Sequence, residues 1–474
     1  MQAGLIGLGV MGRNLALNLN DKGHRIIATD SWESARGWSA PGLTVVDGHK
    51  ALADALEAPR VVLLMVKAGE QVDKEIATIT PHLAPGDTII DLGNSYYRDT
   101  ERRAAELIGR GFGFLGIGIS GGAEGARHGA ALMAGGGAQD WARAKQLLAD
   151  VAAKAEDGTP TIDHFGPGGA GHFVKMVHNG IEYAIMQAIG ETHAVMRDVL
   201  RIDDAEIAEH FTRWSAKGAG AGFLLEITAE IVQARDALTG AAMLPLIDDA
   251  AGQKGTGSWT AAAAVEHSVP ATAIMEALAA RQVSGQTAQR ELARQLAGAD
   301  EGRGLATGKA HGLVDDLEAA LTAVMITSLA QGVQIFAAAS AENGWRDDVS
   351  SLLRVWRAGS ILRMGMLDGL ADALDGAAGE GGGSDLFLVP SIFERVLEAR
   401  PAWRRAVSGA VLGGSPVPVL AAALNYVESL SRRPLATQLV QGQRDRFGAH
   451  GFRRTDQPGD FHGPWVQPDE EVAK

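Results

Sequence analysis

The chain has 474 residues, 46% of them hydrophobic and 21% charged, the proportions of a soluble globular protein with room for two or three domains. It has no cysteine, which excludes disulfides, thiolate metal sites and a cysteine nucleophile, and its formal net charge of −14 argues against general nucleic-acid binding. No apolar run approaches the ~20 residues that span a bilayer, and no basic-then-apolar leader precedes Gly4-Leu5-Ile6-Gly7, so a cytoplasmic location is expected.

Residues 3–8 read as a short buried strand and residues 14–19 as a helix. Between them lies Gly7-Leu8-Gly9-Val10-Met11-Gly12. This is the G-x-G-x-x-G fingerprint in the context it needs, with glycines for the tight turn, for backbone approach to a pyrophosphate and for helix–strand packing. A second strand over 24–29 ends at Asp30, roughly 20 residues after the loop, where a ribose-binding acid is expected. A carboxylate there accepts the ribose hydroxyls of NAD and repels the 2′-phosphate of NADP, with Arg36 nearby to offset it; the alternative role for Asp30 is to cap the next helix. Strands over 60–66 and 88–92 end in Val66-Lys67-Ala68-Gly69 and Gly93-Asn94-Ser95. Strand ends of this kind are where ligands bind in doubly wound sheets. A second glycine loop, Ser120-Gly121-Gly122-Ala123-Glu124-Gly125-Ala126-Arg127, follows a strand over 114–119 and is either a ligand loop or a plain turn.

Beyond residue 173 the periodicity turns helical, in blocks over 175–200, 219–237, 268–297, 315–343 and 391–407. If the first block is helical, Lys175, Asn179, Glu182 and Tyr183 share one face, opposite Val174, Val177, Ile181, Ile185 and Ala188. Such a face is either the solvated side of an amphipathic helix or a base, an anchor and an acid arrayed toward one substrate. A long helix before Arg213-Trp214 with Gly218 beyond, and another before Arg354-Val355-Trp356-Arg357 with Gly359 beyond, suggest a duplicated helical unit. Gly252-Gln253-Lys254-Gly255-Thr256-Gly257 is a third glycine loop without P-loop spacing, and residues 376–384 read as an exposed loop. After about residue 439 helical periodicity is lost, yet Arg444, Phe447, His450, Phe452, Phe461, His462 and Trp465 are too many for a disordered end; a tail that docks on something, such as a second subunit, is expected.

Taken in order, these motifs resemble the decarboxylating 6-phosphogluconate dehydrogenases over nearly the whole length, ending with Gln443-Arg444-Asp445 and Phe447-Gly448-Ala449-His450. The resemblance implies an α/β Rossmann dinucleotide-binding domain over 1–170, a large all-helical domain for substrate and dimerisation over 171–435, and an extended tail over 436–474 that reaches the partner of a homodimer. It implies oxidative decarboxylation of 6-phosphogluconate in the pentose phosphate pathway, without a metal. Lys175 would be the general base and Glu182 the general acid. Asn94, Ser120, Gly121, Gly122, His178, Asn179 and Tyr183 would hold the sugar acid; Lys254, Arg281, Arg444 and His450 would hold the phosphate, the last two from the other subunit. Gly7, Leu8, Gly9, Val10, Met11, Gly12, Asp30, Val66, Lys67, Ala68 and Asn94 would hold the cofactor. A free lysine, with a pKa of ~10.4, is a poor base, but burial lowers it.

The chain departs from the family's pattern in places. Asp30-Ser31-Trp32 stands where Asn-Arg-Thr is usual, and the arginine there grips the 2′-phosphate, so the family's NADP gives way here to an expected preference for NAD or acceptance of both. Ala123, His128, Leu92 and Ser258 replace Glu, Tyr, Gly and Lys, and Ser258 is expected to weaken anion binding. The competing readings are a β-hydroxyacid dehydrogenase such as one for 3-hydroxyisobutyrate, and a dinucleotide-binding scaffold without activity.

Overall fold

The structure is a computed structural model that describes residues 1–32, 35, 37–253, 255–297, 312–377 and 384–466. Contacts divide the chain into two compact units, residues 1–423 and 424–474.

The first unit opens with an eight-stranded sheet of order β3-β2-β1-β4-β5-β6-β7-β8. Its strands are β1 (Gln2–Ile6), β2 (Arg25–Thr29), β3 (Thr44–Val45), β4 (Val61–Leu64), β5 (Thr88–Asp91), β6 (Gly113–Ser120), β7 (Ala131–Gly136) and β8 (Ile162–His164). Every pairing is parallel except β6 with β7. Helices α1 (Val10–Asp21), α2 (Gly48–Asp54), α3 (Glu70–Ile79), α4 (Tyr97–Ile108), α5 (Gly122–His128) and α6 (Ala138–Val151) connect them. Alternate strand residues serve opposite faces. Leu5, Ala28 and Leu63 pack with Leu15 and Leu19 of α1 and Leu147 of α6. Ile6, Ile27, Val62 and Leu64 pack with Leu52 of α2, Ile76 of α3 and Leu107 of α4. A sheet covered on both faces reads as continuous apolar runs, which is why the strands before the glycine loops were visible in the sequence. β7 and β8 were not expected; β7 runs Ala-Leu-Met-Ala-Gly-Gly and β8 has only three residues.

The helical part begins with α7 (Ala170–Ala194), which continues through a π turn (Val195–Val199). Next come α8 (Asp204–Ala216), α9 (Phe223–Gln233), α10 (Thr256–Glu266), α11 (Thr272–Ser284), α12 (Thr287–Ala297), α13 (Leu313–Asn343), α14 (Val349–Trp356), α15 (Leu367–Ala377), α16 (Pro390–Leu412) and α17 (Pro418–Leu430). The single block expected over 268–297 is two helices, broken at Gly285, and it starts late because Pro270 precedes it. Twice, a long helix is followed by a short one bearing a buried tryptophan, Trp214 or Trp356, and then by a glycine at positive φ, Gly218 or Gly359. Backbone bonds join the two turns, from Phe223 N to Arg363 O and from Gly365 N to Ala221 O.

α13 corrects one expectation. By length and composition it is apolar enough to cross a bilayer, but 83% of its most apolar window is buried in the protein. Its partners are α7 and α16, so its hydropathy is that of a core helix, apolar all round because it is enclosed all round.

The second unit carries α18 (Thr437–Gly448) and a hairpin of β9 (Phe452–Arg453) with β10 (Asp460–Phe461). Helical structure therefore continues past residue 439, contrary to the sequence expectation. Buried Asp445 ties this unit together, accepting hydrogen bonds from Gly451 N, His462 Nδ1, Gly463 N and Trp465 Nε1 at 2.7–2.9 Å. Burial alone would raise its carboxyl; these bonds outweigh burial and hold it well below the usual range.

Candidate active site

The glycine loop joins β1 to α1. Gly7 sits at φ +106, and a Cβ there would lie 2.3 Å from Met65 O; a Cβ on Gly12 would lie 1.9 Å from Gly7 O. Gly9 has open space where a side chain would project. Two adjoining cavities flank the loop and share Gly9, Val10, Met65, Val66 and Lys67. The first, of about 570 Å³, is lined by Gly7, Leu8, Arg13, Asp30, Ser31 and Trp32 among others. The second, of about 760 Å³, adds Met11, Gly12, Ala68, Gly69, Asn94, Tyr96, Ile119 and Trp259. An open glycine at a helix N-terminus between two cavities fits a pyrophosphate bridging two nucleosides. Asp30 lies at the first cavity with its carboxylate engaged: Oδ2 accepts from Leu8 N at 2.6 Å and Oδ1 from Trp32 N at 2.8 Å. The neighbouring Trp32 ring is 74% exposed. Arg36 and Lys254 lie outside the described residues.

The second cavity reaches Ile119, and the next residue, Ser120, starts a buried polar cluster. α7 crosses the end of β6 so closely that a Cβ on Gly118 would lie 2.2 Å from Lys175 Cβ. Lys175 is 6% exposed, and its Nζ lies 3.4 Å from His178 Nδ1. His178 Nδ1 also meets Asn179 Oδ1 at 3.3 Å and Glu182 Oε2 at 3.7 Å. His178 Nε2 lies 2.9 Å from Ser120 Oγ and 2.9 Å from Ser360 Oγ. The Lys-Asn-Tyr face is therefore buried, and the solvated-face alternative does not hold: Asn179 and Tyr183 are each 6% exposed and the Glu182 side chain 18%. α10 and α11 supply part of the enclosure, with Gly257 against the Tyr183 ring and the Arg281 guanidinium stacked 3.5 Å over it. Arg281 also donates to Gly252 O at 3.2 Å.

Burial sets the charges. It pulls the Lys175 ammonium down from 10.5 to about 8, against the opposing pull of Glu182. It raises the Glu182 carboxyl, with Lys175 and Arg281 opposing. His178 is held neutral, well below the usual range, by burial and by the Lys175 charge. A lysine lowered and a carboxyl raised on one helix face are the environments that let a base and an acid work near neutral pH.

The sequence profile of the 6-phosphogluconate dehydrogenase C-terminal domain matches residues 171–465, and that of the family's NAD-binding domain matches residues 2–163. Similar proteins include decarboxylating 6-phosphogluconate dehydrogenase 1 of Oryza sativa, 40% identical over 98% of this chain and 97% of its own, and the Homo sapiens enzyme, 41% identical over 98% and 96%. The chain belongs to the 6-phosphogluconate dehydrogenase family. Its fold matches the Plasmodium falciparum 6-phosphogluconate dehydrogenase with a TM-score of 0.91 at 34% identity, covering 98% of this chain and all of that one. That enzyme was solved alone, with NADP+ and with 6-phosphogluconate.

The structure thus brings Ser120, Lys175, His178, Asn179, Glu182, Tyr183 and Arg281 into one neighbourhood, and places the loops at 7–12, 66–68 and 94 around the adjoining cavities. Gly121 and Gly122 open α5 directly after Ser120. In the second unit, Arg444 is exposed and donates to Gln441, while exposed His450 packs its ring edge against Phe447. The sequence reading missed Ser360, Trp356, Trp259 and Tyr96. Trp356 meets the His178 ring edge-on at 5.5 Å, and Trp259 packs against Tyr96 at 4.9 Å with the rings tilted by 38°. Neither Ser360 nor Trp259 sits in a motif with a mechanistic spacing; only the fold brings them in.

Proposed function

We propose that this chain oxidises 6-phospho-D-gluconate at C3 and decarboxylates it to D-ribulose 5-phosphate and CO₂. The observation that carries this reading is the enclosed Lys175–His178–Glu182 face next to the glycine-loop cavities. Lys175, neutral above about pH 8, takes the proton from the C3 hydroxyl. When bound, the nicotinamide accepts the hydride from C3. The resulting 3-keto acid loses CO₂ as its C1–C2 electron pair passes into an enediol, and the Lys175 ammonium returns its proton to the C3 oxygen. No metal is required for this step, because the β-keto group itself takes up the electrons. Glu182, whose carboxyl burial raises, then gives its proton to C1 of the enediol while the Lys175 amine takes back the proton of the adjacent enol hydroxyl, which yields the ketose.

Ser120, Gly121, Gly122, Asn94, His178, Asn179 and Tyr183 hold the sugar acid in this reading. Arg281 and Lys254 hold the phosphate, completed by Arg444 of the partner subunit and His450 of the partner subunit in a homodimer with exchanged tails. For the cofactor, Asp30 puts a carboxylate at the first cavity and Ser31 brings no cation. A 2′-phosphate meets repulsion there, so NAD is preferred or both are accepted. The test follows absorbance at ~340 nm, where reduced nicotinamide absorbs, with 6-phosphogluconate and each cofactor, while CO₂ is trapped. Reduction without CO₂, or reduction only with 3-hydroxyisobutyrate, refutes the decarboxylating reading. A strong preference for NADP refutes the role given to Asp30.

A further inference from the structure

Gln71 and Glu75 lie one turn apart on α3 and line the first cavity but not the second. Trp32 and Ala35, beyond Asp30 at the end of β2, also line the first cavity alone. Lys67 lines both cavities, and Asp30 holds Leu8 of the glycine loop. Pyrophosphate and ribose therefore belong at the loop end, and the base belongs beyond Asp30, between the β2 side and α3.

Glu75 is 4% exposed, and both of its oxygens are engaged. Oε2 meets Nε2 of His49, from α2, at 2.6 Å, and Oε1 accepts from Gln71 Nε2 at 2.5 Å. Burial alone would raise this carboxyl; the bonds from His49 and Gln71 outweigh burial and hold it below its ordinary value. Glu75 is thus ionised at neutral pH, and a carboxylate only accepts hydrogen bonds. That fixes which way the Gln71 amide faces: its NH₂ must point at Glu75 and its oxygen away. Among the described residues nothing donates to Gln71 Oε1, and it is not a buried orphan, so it opens on the cavity that Gln71 lines.

We propose that Gln71 reads the base of the dinucleotide, offering an oriented acceptor that selects a 6-amino purine over a 6-oxo purine. The 6-amino group of adenine donates hydrogen bonds, whereas the 6-oxo group of hypoxanthine presents lone pairs there. An amide free to turn could serve either base by exchanging its oxygen and nitrogen. This one is not free, because turning it would set Oε1 against the Glu75 carboxylate. Glu75 is the positioning residue, held in turn by His49. Of the other charged groups at this cavity, Asp30 spends Oδ2 on Leu8 N and Oδ1 on Trp32 N, and the Arg13 guanidinium lies 5.5 Å from the Trp38 ring.

The inference rests on the nicotinamide dinucleotide taking the place proposed above, and its test separates the two. NADH and reduced nicotinamide hypoxanthine dinucleotide are titrated into the full chain, with binding followed by the fluorescence of the reduced nicotinamide. The 2′-phosphorylated pair is compared in the same way, so the outcome does not depend on the preference for NAD. The wild type should bind the adenine form about tenfold more tightly, the worth of one such hydrogen bond. Gln71→Leu should abolish this difference by weakening the adenine form. In Glu75→Gln the new amide can donate to Gln71 Oε1, which lets Gln71 turn its NH₂ to the cavity. The hypoxanthine form should then bind several-fold more tightly than it does to the wild type, a gain that a damaged fold does not produce. Equal binding of the two forms by the wild type, or an unchanged ratio in either variant, overturns the proposal and leaves the cofactor reading standing. Binding of none of the four dinucleotides overturns both.

Discussion

Lys175→Met should make the protein more stable and inactive at once. The lysine stem lies along Gly118, and methionine fills a similar volume without a charge. The folded chain holds the Lys175 ammonium at about 8 instead of 10.5. Below pH 8 both folded and unfolded chains carry the proton, and the folded chain bears the whole cost of burying it. Between pH 8 and 10.5 the folded chain releases the proton while the unfolded chain keeps it, so stability rises with pH across that window. Above 10.5 the penalty is gone. At ~1.4 kcal/mol per pKa unit, the penalty at pH 7 is about 3 kcal/mol. Unfolding entropy of ~2.1 cal/mol/K per residue makes this a rise of only about 3 °C in Tm for a chain of this length.

The assay compares melting of the wild type and Lys175→Met at pH 7 and pH 10.5, beside turnover and cofactor binding followed by quenching of Trp259. The variant should melt higher at pH 7, lose its advantage at pH 10.5, bind cofactor and turn over at least ~10²-fold more slowly. A lower Tm at pH 7 would show that Lys175 is stabilised by its site, contrary to burial as the cause of its lowered pKa. Wild-type turnover would remove it as the base.

Two further outcomes follow from the packing around α7. Glu191 is buried and accepts from Val419 N at 3.0 Å and Leu420 N at 2.9 Å, the first turn of α17, while burial raises its carboxyl from 4.5 to about 7. Its contribution is therefore fully favourable below pH 4.5 and falls as pH rises to 7; Glu191→Gln removes about 3 kcal/mol of penalty above pH 7 and gives back about 1 for one amide left without an acceptor. Unfolding midpoints at pH 5 and 8 should diverge by about 2 kcal/mol in favour of the variant at the higher pH, and equal pH dependence of the two proteins would contradict this. Gly118→Ala puts a methyl 2.2 Å from Lys175 Cβ and should cost at least ~10²-fold in kcat with cofactor affinity little changed; steady-state kinetics within a few-fold of wild type would show that α7 need not approach β6 so closely.

The site was legible where one short segment carried the whole constraint. The glycine loop must turn, open and pack within six residues, and buried parallel strands announce themselves as apolar runs. The face of α7 was legible as a stripe of residues but not in its meaning, since the same spacing describes a solvated helix. What decides between them is enclosure by β6, α10, α11 and α13, which no local pattern encodes. Ser360 was invisible for the same reason: a serine after a tryptophan helix has no signature until the fold sets it against His178. β7 escaped because its glycines erase alternation, whereas α13 was expected as a helix, and its burial separates it from a membrane span of like composition.

That enclosure also suits Lys175 and Glu182 to the roles of base and acid proposed for them. On a surface helix they would titrate near ~10 and ~4, the lysine too protonated to accept and the carboxyl too ionised to donate at pH 7. Burial moves both toward neutrality, one down and one up, through a single cause acting on opposite charges. Their mutual attraction opposes that shift, so a shorter Lys–Glu contact would return both to their ordinary charged states. The imidazole of His178 lies against both, 3.4 Å from Lys175 Nζ and 3.7 Å from Glu182 Oε2. A neutral ring in that position meets both groups without adding a charge to either. The helix therefore places the proposed base and acid seven residues apart, with His178 three residues from the one and four from the other.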